Sequence, residues 1–152
     1  MSTGNTSESK SNTAPAFAIG AQYIKDLSFE NNKVLSLLQS PPKSPQTAVQ
    51  FHVSHTAQDS DRYEVDLRIV ASLKSEKDTI YLLDITYTGL FMIRGLDKDT
   101  LTKVLAIECP RILYPSARSI VIGLTQDSGF PPMYMAPAVD FAGMHDEQQK
   151  AH

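Results

Sequence analysis

Apolar and polar side chains alternate along residues 63–73, and this alternation constrains the fold more than any other feature of the chain. Successive residues of a β-strand point to opposite faces, so a period of two predicts a strand with one face in a core. Less regular alternation recurs in residues 17–30, 49–55 and 79–93. The chain is therefore predicted to build a sheet of four strands. The apolar positions of the clearest stretch are Tyr63, Val65, Leu67, Ile69, Ala71 and Leu73.

The connections indicate how these strands are arranged. Short polar turns at 57–62 and 74–78 join the last three strands into antiparallel hairpins. A long connection follows the first strand, at residues 31–46, and its prolines exclude a central strand while allowing a Greek-key return. Loops are mostly polar, yet this connection carries Leu35, Leu37 and Leu38. These leucines either pack on the core or line a surface groove.

Helical spacing replaces alternation after residue 95. Leu101, Val104 and Leu105 recur at intervals of three and four residues, which predicts a first helix. Pro110 is predicted to end it, because the residue before a proline disfavours the helical conformation. Pro115 suits the first turn of a second helix, so the residues between the two prolines are expected to form a bend. The apolar stripe of the second helix is Ala117, Ile120, Val121 and Leu124.

Together these patterns predict an α+β fold class, a four-stranded antiparallel Greek-key sheet with two C-terminal helices packed on one face. Residues 1–15 are small and polar and predict a disordered tail, residues 16–143 the folded domain, and residues 144–152 a flexible C-terminal tail. No apolar run approaches the roughly 18 residues that span a bilayer. The first residues also lack the apolar segment of a secretory signal, so we expect a soluble, cytoplasmic protein.

Charge and cysteine content narrow the classes of function. The formal net charge is −3 and the 14 Lys and Arg residues are scattered, which argues against a binder of nucleic acid or of anionic membranes. The single cysteine, Cys109, excludes an intramolecular disulfide and has no evident base beside it, so we expect a structural role. His52 and His55 point to opposite faces of a strand and cannot share a metal ion. We therefore expect no enzyme activity, no cofactor and no metal; a small hydrolase or a ligand-binding domain is the alternative.

Acidic residues share one face of the predicted sheet. Asp26 and Glu30 have the same parity on the first strand, roughly 13 Å apart at about 3.3 Å per residue. Asp84 and Leu82 share a face of the fourth strand. If the first and fourth strands are neighbours, an acidic surface with an exposed leucine results. This surface is either an ordinary solvated sheet face or a docking site.

Several short motifs follow one another in a consistent order along the chain. Residues 109–118 read C-P-R-I-L-Y-P-S-A-R, and residues 23–30 read Y-I-K-D-L-S-F-E. Further motifs are Y-E-V at 63–65, G-L-F at 89–91, F-P at 130–131, A-P at 136–137 and D-F at 140–141. In this order, over about residues 17–142, they resemble the SecB family of bacterial protein-export chaperones, and residues 23–30 are similar to that family's first-strand signature.

The resemblance implies a homotetramer, built as a dimer of dimers with the helices packed between two sheets, and no catalysis. It implies binding of unfolded precursor proteins in hydrophobic grooves and their delivery to the motor ATPase SecA. The SecA-binding residues carried over by position are Asp26, Glu30, Leu82 and Asp84. The client-groove residues implied in the same way are Leu35, Leu37, Leu38, Tyr81, Leu113 and Tyr114.

The chain departs from the family at its end, where residues 146–152 are short and only weakly acidic compared with the tail that gives the family a second SecA contact. The alternative within the same fold is a SecB-like chaperone dedicated to one partner, such as an antitoxin. The residues do not separate this alternative from a general export chaperone.

Overall fold

The computed structural model of the protein describes residues 14–151. Its sheet is antiparallel and four-stranded, which confirms the predicted α+β class. Residues 1–13, which make up most of the tail predicted at 1–15, and the terminal residue 152 lie outside the described part of the chain. In chain order the elements are β1 (Ala16–Glu30), α1 (Val34–Gln39), β2 (Gln46–Ala57), β3 (Arg62–Lys74), β4 (Thr79–Arg94), α2 (Lys98–Lys103), a π-helical turn (Val104–Glu108), α3 (Cys109–Gln126) and α4 (Phe141–Lys150).

The strands lie in the order β1–β4–β3–β2, so β1 and β2 are the two edges. The hairpins β2–β3 and β3–β4 form the predicted meander, and the connection from β1 to β2 carries the chain from one edge to the other. This is the predicted Greek-key return. We call the sheet face that α3 covers the inner face and the opposite one the outer face.

The core lies between the inner faces of β3 and β4 and one stripe of α3. Glycine at residue 89 of β4 brings α3 close to the sheet: a Cβ there would lie 2.7 Å from Cδ2 of Leu113 and 2.7 Å from Cε2 of Phe91. Burying a leucine of this kind contributes about 1.5–3 kcal/mol. The buried stripe of α3 is Cys109, Leu113, Ala117 and Val121, at the four-residue spacing of one helix face.

The prolines do not separate two helices, and the predicted bend between them is wrong. Residues 98–126 are helical throughout. The N–H of Cys109 bonds to the carbonyl of Val104, five residues back, so the chain makes a wider turn just before Pro110. The wider turn moves aside the carbonyl that would meet the ring of Pro110 in a regular helix. Pro115 lies within α3 on its exposed side, where water can hydrate the carbonyl that lacks a donor.

The C-terminal segment is helical where a flexible tail was predicted for residues 144–152, because residues 144–150 belong to α4. The Oδ1 atom of Asp140 caps this helix by accepting a bond from the N–H of Gly143 at 2.9 Å. Phe141 is buried against the rings of Phe51 and Tyr114, with centroids 6.2 Å away in each case. The polar composition concealed the helix, which is held by its cap and by one aromatic anchor.

Two β-bulges in β1 change which residues share a face. Register shifts occur between Ile19 and Gln22 and between Ile24 and Asp26, so β1 has one extra residue at each place. Each extra residue exchanges the two sheet faces for the residues that follow it. After the second bulge, odd-numbered residues therefore lie on the inner face again, as they did before the first. Tyr23 therefore lies opposite Thr88 on the outer face, not with the inner aromatic residues as the alternation predicted.

Candidate partner-binding surfaces

The four residues of the predicted SecA surface come together on the outer face of two adjacent strands. Glu30 lies opposite Leu82 in the β1–β4 register, Ser28 opposite Asp84, and Asp26 opposite Thr86. Leu82 is exposed beside Glu30, at one end of this group. The arrangement is an acidic surface with an exposed leucine at its edge, and we call Asp26, Glu30, Leu82 and Asp84 the acidic surface.

The carboxylate of Asp84 is already paired. Arg68 on β3 donates two hydrogen bonds to it, from Nε to Oδ1 at 2.9 Å and from a terminal nitrogen to Oδ2 at 2.6 Å. These bonds hold the pKa of Asp84 below its ordinary value. No ion pair within residues 14–151 includes Asp26 or Glu30. Sequence reasoning missed the Arg68–Asp84 pair, because the pair depends on a diagonal contact that only the register of β3 and β4 fixes.

A second polar network holds the bulged part of β1. Lys25, the extra residue of the second bulge, reaches across β4 and pairs with Glu64 and with Asp66 of β3. The hydroxyl of Tyr23 donates to Glu64 Oε2 at 3.1 Å, and buried Thr88 donates to Asp66 Oδ1 at 2.8 Å. Hydrogen bonding from Lys25 lowers the pKa of Glu64, and burial raises the pKa of Tyr23. The network therefore fixes the bulge and the outward direction of its side chains.

The leucines of the β1–β2 connection divide between core and surface. Leu37 packs against the core, whereas Leu35 and Leu38 are 73% and 61% exposed on α1. Contacts at the start of the connection hold α1 in place. Asn31 Nδ2 donates to the carbonyl of Ser128 at 2.7 Å, Lys33 pairs with Asp78 at 2.6 Å, and Val34 packs beside Gly129. Two large apolar side chains are thus held in solvent on an anchored helix.

The other three predicted groove residues are buried, which corrects their assignment as groove walls. Tyr81, Leu113 and Tyr114 are only 1%, 0% and 2% exposed. The ring of Tyr81 meets that of Phe29 edge to face at 5.6 Å, and Tyr114 packs in the same manner on Phe51 at 5.8 Å. The Tyr114 hydroxyl donates to the carbonyl of Ala136. Tyr81 lies on the inner face of the sheet, and Leu113 and Tyr114 lie on the buried side of α3, so all three complete the core and offer almost no surface.

The inner side of β1 carries an exposed apolar strip. The alternation in the sequence placed Phe17, Ile19 and Leu27 on one apolar face, and the bulges add Ile24 to the same side. α3 packs on β3 and β4, so β1 extends past the covered region. The side chains on this strip are between 38% and 45% exposed. An exposed apolar surface of this kind is typical of an interface. We call this set the β1 strip: Phe17, Ile19, Ile24 and Leu27.

The edge strand β2 lacks the usual protection against pairing. Residues 46–57 contain no Lys, Arg, Asp, Glu, Pro or Gly, and they pair with β3 without a register shift. Natural edge strands are commonly interrupted by charges, prolines or bulges, because their free N–H and C=O groups pair readily with another strand. The free side of β2 is therefore open to an extended chain.

The groups considered for chemistry occupy unreactive places. Cys109 is buried, and burial raises the pKa of its thiol to about 12, so the reactive thiolate is disfavoured at neutral pH. His52 lies opposite Arg68 and His55 opposite buried Val65, on opposite faces of the sheet. Across residues 14–151, no three His, Cys, Asp or Glu side chains are grouped to hold a metal ion. Nor does the described chain contain a helix long and apolar enough to cross a membrane.

The fold and its surfaces define an α+β binding protein that presents an apolar helix, an open strand edge and an acidic sheet face. The family model "Preprotein translocase subunit SecB" matches residues 10–152. A protein-export protein SecB from Xanthobacter autotrophicus is 37% identical over 139 residues, 91% of this chain and 88% of the relative. The counterpart from Azorhizobium caulinodans is 37% identical over 151 residues, 99% and 93% of the two chains.

The chain belongs to the SecB family of protein-export chaperones. A solved structure with the same fold is a SecB-like chaperone from Mycobacterium tuberculosis, in complex with a peptide of the HigA1 antitoxin. It has a TM-score of 0.65 and 17% sequence identity, over 79% of this chain and 89% of that one. The predicted family and fold are thus confirmed.

Replacing Lys25 tests the network that holds the bulge. Because Lys25 lowers the pKa of Glu64 in the folded state, its stabilisation is present above the ordinary glutamate pKa of about 4.3 and is lost as the pH falls through the lowered value. We expect Lys25→Gln to lower the urea midpoint of unfolding at pH 7 and to lower it much less near pH 3. Lys77→Gln, in the β3–β4 turn, is the matched control. An equal loss at both pH values would contradict the ion-pair account.

Proposed function

We propose that the protein binds unfolded precursor proteins, keeps them competent for export and delivers them to SecA in the cytoplasm. It acts by binding and not by catalysis, and it requires no cofactor. The observation that carries the proposal is the pair of leucines that α1 holds in solvent, Leu35 and Leu38. A folded chain that keeps large apolar side chains exposed on an anchored helix offers a surface to other apolar chains.

Two features support binding of many different clients. Burial of apolar surface is non-directional, so the α1 leucines accept varied apolar side chains. The edge of β2 adds main-chain hydrogen bonds, which any extended segment can form whatever its sequence. Both kinds of contact are tolerant of sequence, as a chaperone of unfolded chains requires.

The antitoxin-dedicated alternative has weaker support. The SecB-like chaperone that binds an antitoxin peptide is 17% identical to this chain, whereas the protein-export relatives reach 37%. A similarity of 17% identity shows a shared fold and nothing about the partner. We therefore propose a role in export.

Replacing the exposed leucines tests client binding. Leu35→Ser with Leu38→Ser should weaken binding of a urea-denatured secretory precursor by roughly tenfold, because each buried leucine contributes about 1.5–3 kcal/mol and part of that is lost. Suppression of precursor aggregation and a fluorescence-monitored Kd measure the effect. Gln39→Ser with Lys43→Ser changes the same connection without removing apolar area and should bind as the wild type does. Unchanged client affinity in the leucine variant would exclude α1 from the client site.

The acidic surface suits a basic partner. Asp26 and Glu30 lie on β1, on the same outer face as exposed Leu82 of β4. Carboxylates on such a face steer a positively charged protein, while the leucine adds apolar contact. We propose SecA as this partner, with Asp26, Glu30, Leu82 and Asp84 in contact with it.

Neutralising the two unpaired carboxylates tests this assignment. Asp26→Ala with Glu30→Ala should weaken SecA binding several-fold at low salt and leave client affinity unchanged, because the proposed client contacts are the apolar side chains of α1 and the edge of β2 and not these carboxylates. Added salt should narrow the difference, since exposed charges are screened over about 10 Å at 0.1 M. Isothermal titration calorimetry measures both. The control, Glu76→Ala with Asp127→Ala, removes equal charge away from the surface; if it weakens SecA binding equally, the acidic surface is not the docking site.

We also propose that the chain assembles as a tetramer, a dimer of dimers with the helices between two sheets. The β1 strip supports this proposal, because four exposed apolar side chains continue the inner face beyond the cover of α3. A second copy that covered the strip would bury it. The same contact would protect the free edge of β1.

The solution mass tests the assembly. Light scattering should give a mass near four chains for the wild type. Ile24→Asp should give a smaller species, because it would place an unpaired carboxylate in an apolar interface. Ser28→Asp adds the same charge to the outer side of β1 and should keep the wild-type mass. A monomeric wild type, or equal effects of the two variants, would contradict the proposal.

A further inference from the structure

Arg68 is the cation of the proposed SecA-binding surface. It lies on the outer face of β3, opposite Thr86, in the same row of the sheet as Asp26. From there its guanidinium reaches diagonally to Asp84 and donates to both carboxylate oxygens. Hydrogen bonding to Asp84, and to a smaller extent the negative charge of Asp26, raises the pKa of Arg68. One cation therefore lies against Asp84, a carboxylate expected to receive a partner, and in the same row of the sheet as Asp26.

The pair has the geometry that a partner's arginine would use. Two parallel N–H···O bonds are the preferred arrangement between a guanidinium and a carboxylate. Because Arg68 makes both bonds to Asp84, a basic side chain that approaches this carboxylate meets an occupied site. Asp26 and Glu30 form no ion pair among the described residues, so the acidic surface presents unpaired and paired carboxylates side by side.

The pair is accessible enough to exchange. The side chains of Arg68 and Asp84 are 50% and 32% exposed. Exposed ion pairs are weak, and breaking one shifts an equilibrium by no more than roughly fivefold. A partner with several basic groups can therefore displace Arg68, whereas a single cation has little advantage over it.

We propose that Arg68 is a specificity-determining residue of the SecA-binding surface. In the free protein Arg68 is hydrogen-bonded to the carboxylate of Asp84. It releases this carboxylate to a basic partner that also contacts Asp26 and Glu30. Isolated cations and short basic segments of unfolded clients are disfavoured by this competition. The inference rests on the proposed function, since it concerns the same surface.

The test compares two arginines of one strand. Arg68→Gln should tighten SecA binding roughly two- to fivefold at low salt, because it frees Asp84. Arg62→Gln removes the same charge at the start of β3, where Arg62 is paired only at 3.7 Å with Asp59, and should change affinity much less. Titration calorimetry against purified SecA gives the affinities, and circular dichroism establishes that both variants are folded.

A double-mutant cycle separates release of Asp84 from a general change in charge. Asp84→Asn should weaken SecA binding more in the Arg68→Gln background than in the wild type, because only there is the carboxylate free. Weaker SecA binding by Arg68→Gln, equal effects of Arg68→Gln and Arg62→Gln, or equal effects of Asp84→Asn in both backgrounds would overturn the inference. None of these results would affect the proposed function if Asp26→Ala with Glu30→Ala still weakened SecA binding. A wild type that did not bind SecA would overturn both.

Discussion

The close approach of α3 to the sheet at Gly89 is the contact on which the rest of the structure depends. A side chain at this position would displace Leu113 and Phe91, and protein interiors are packed too densely to accept that shift easily. The contact fixes α3 over β3 and β4. It thereby also determines what α3 leaves uncovered, namely the inner side of β1 and the α1 leucines.

The proposed client and SecA surfaces meet at the end of β1. Glu30 is the last residue of this strand, and the next residue, Asn31, ties the connection to Ser128 at the end of α3. The connection then carries the exposed leucines of α1. A client that displaced the connection would act on a segment joined covalently to the acidic surface, and neither surface is more than a few residues from the other along the chain.

Sequence patterns reveal elements whose side chains follow one period, and they fail where the backbone adds a residue. The strand around Leu67 and the second half of the α3 stripe, Ala117 and Val121, were predictable because their periods are uninterrupted. Pro110 was misleading because a π-helical turn accommodates it. The outward placement of Tyr23 follows from the two bulges. Tyrosine occurs on both buried and exposed sheet faces, so its presence in the sequence does not reveal them. The Arg68–Asp84 pair depends on the register of β3 and β4, which no spacing within one strand encodes.

The two bulges of β1 behave like a pair of compensating frameshifts. Deleting the extra residue at either bulge would restore regular pairing and leave the residues on both sides on the faces they now occupy. Deleting a residue from a regularly paired part of the strand would instead exchange the apolar strip with the carboxylates beyond that point. Related chains should therefore lose single residues at the two bulges more readily than elsewhere in β1.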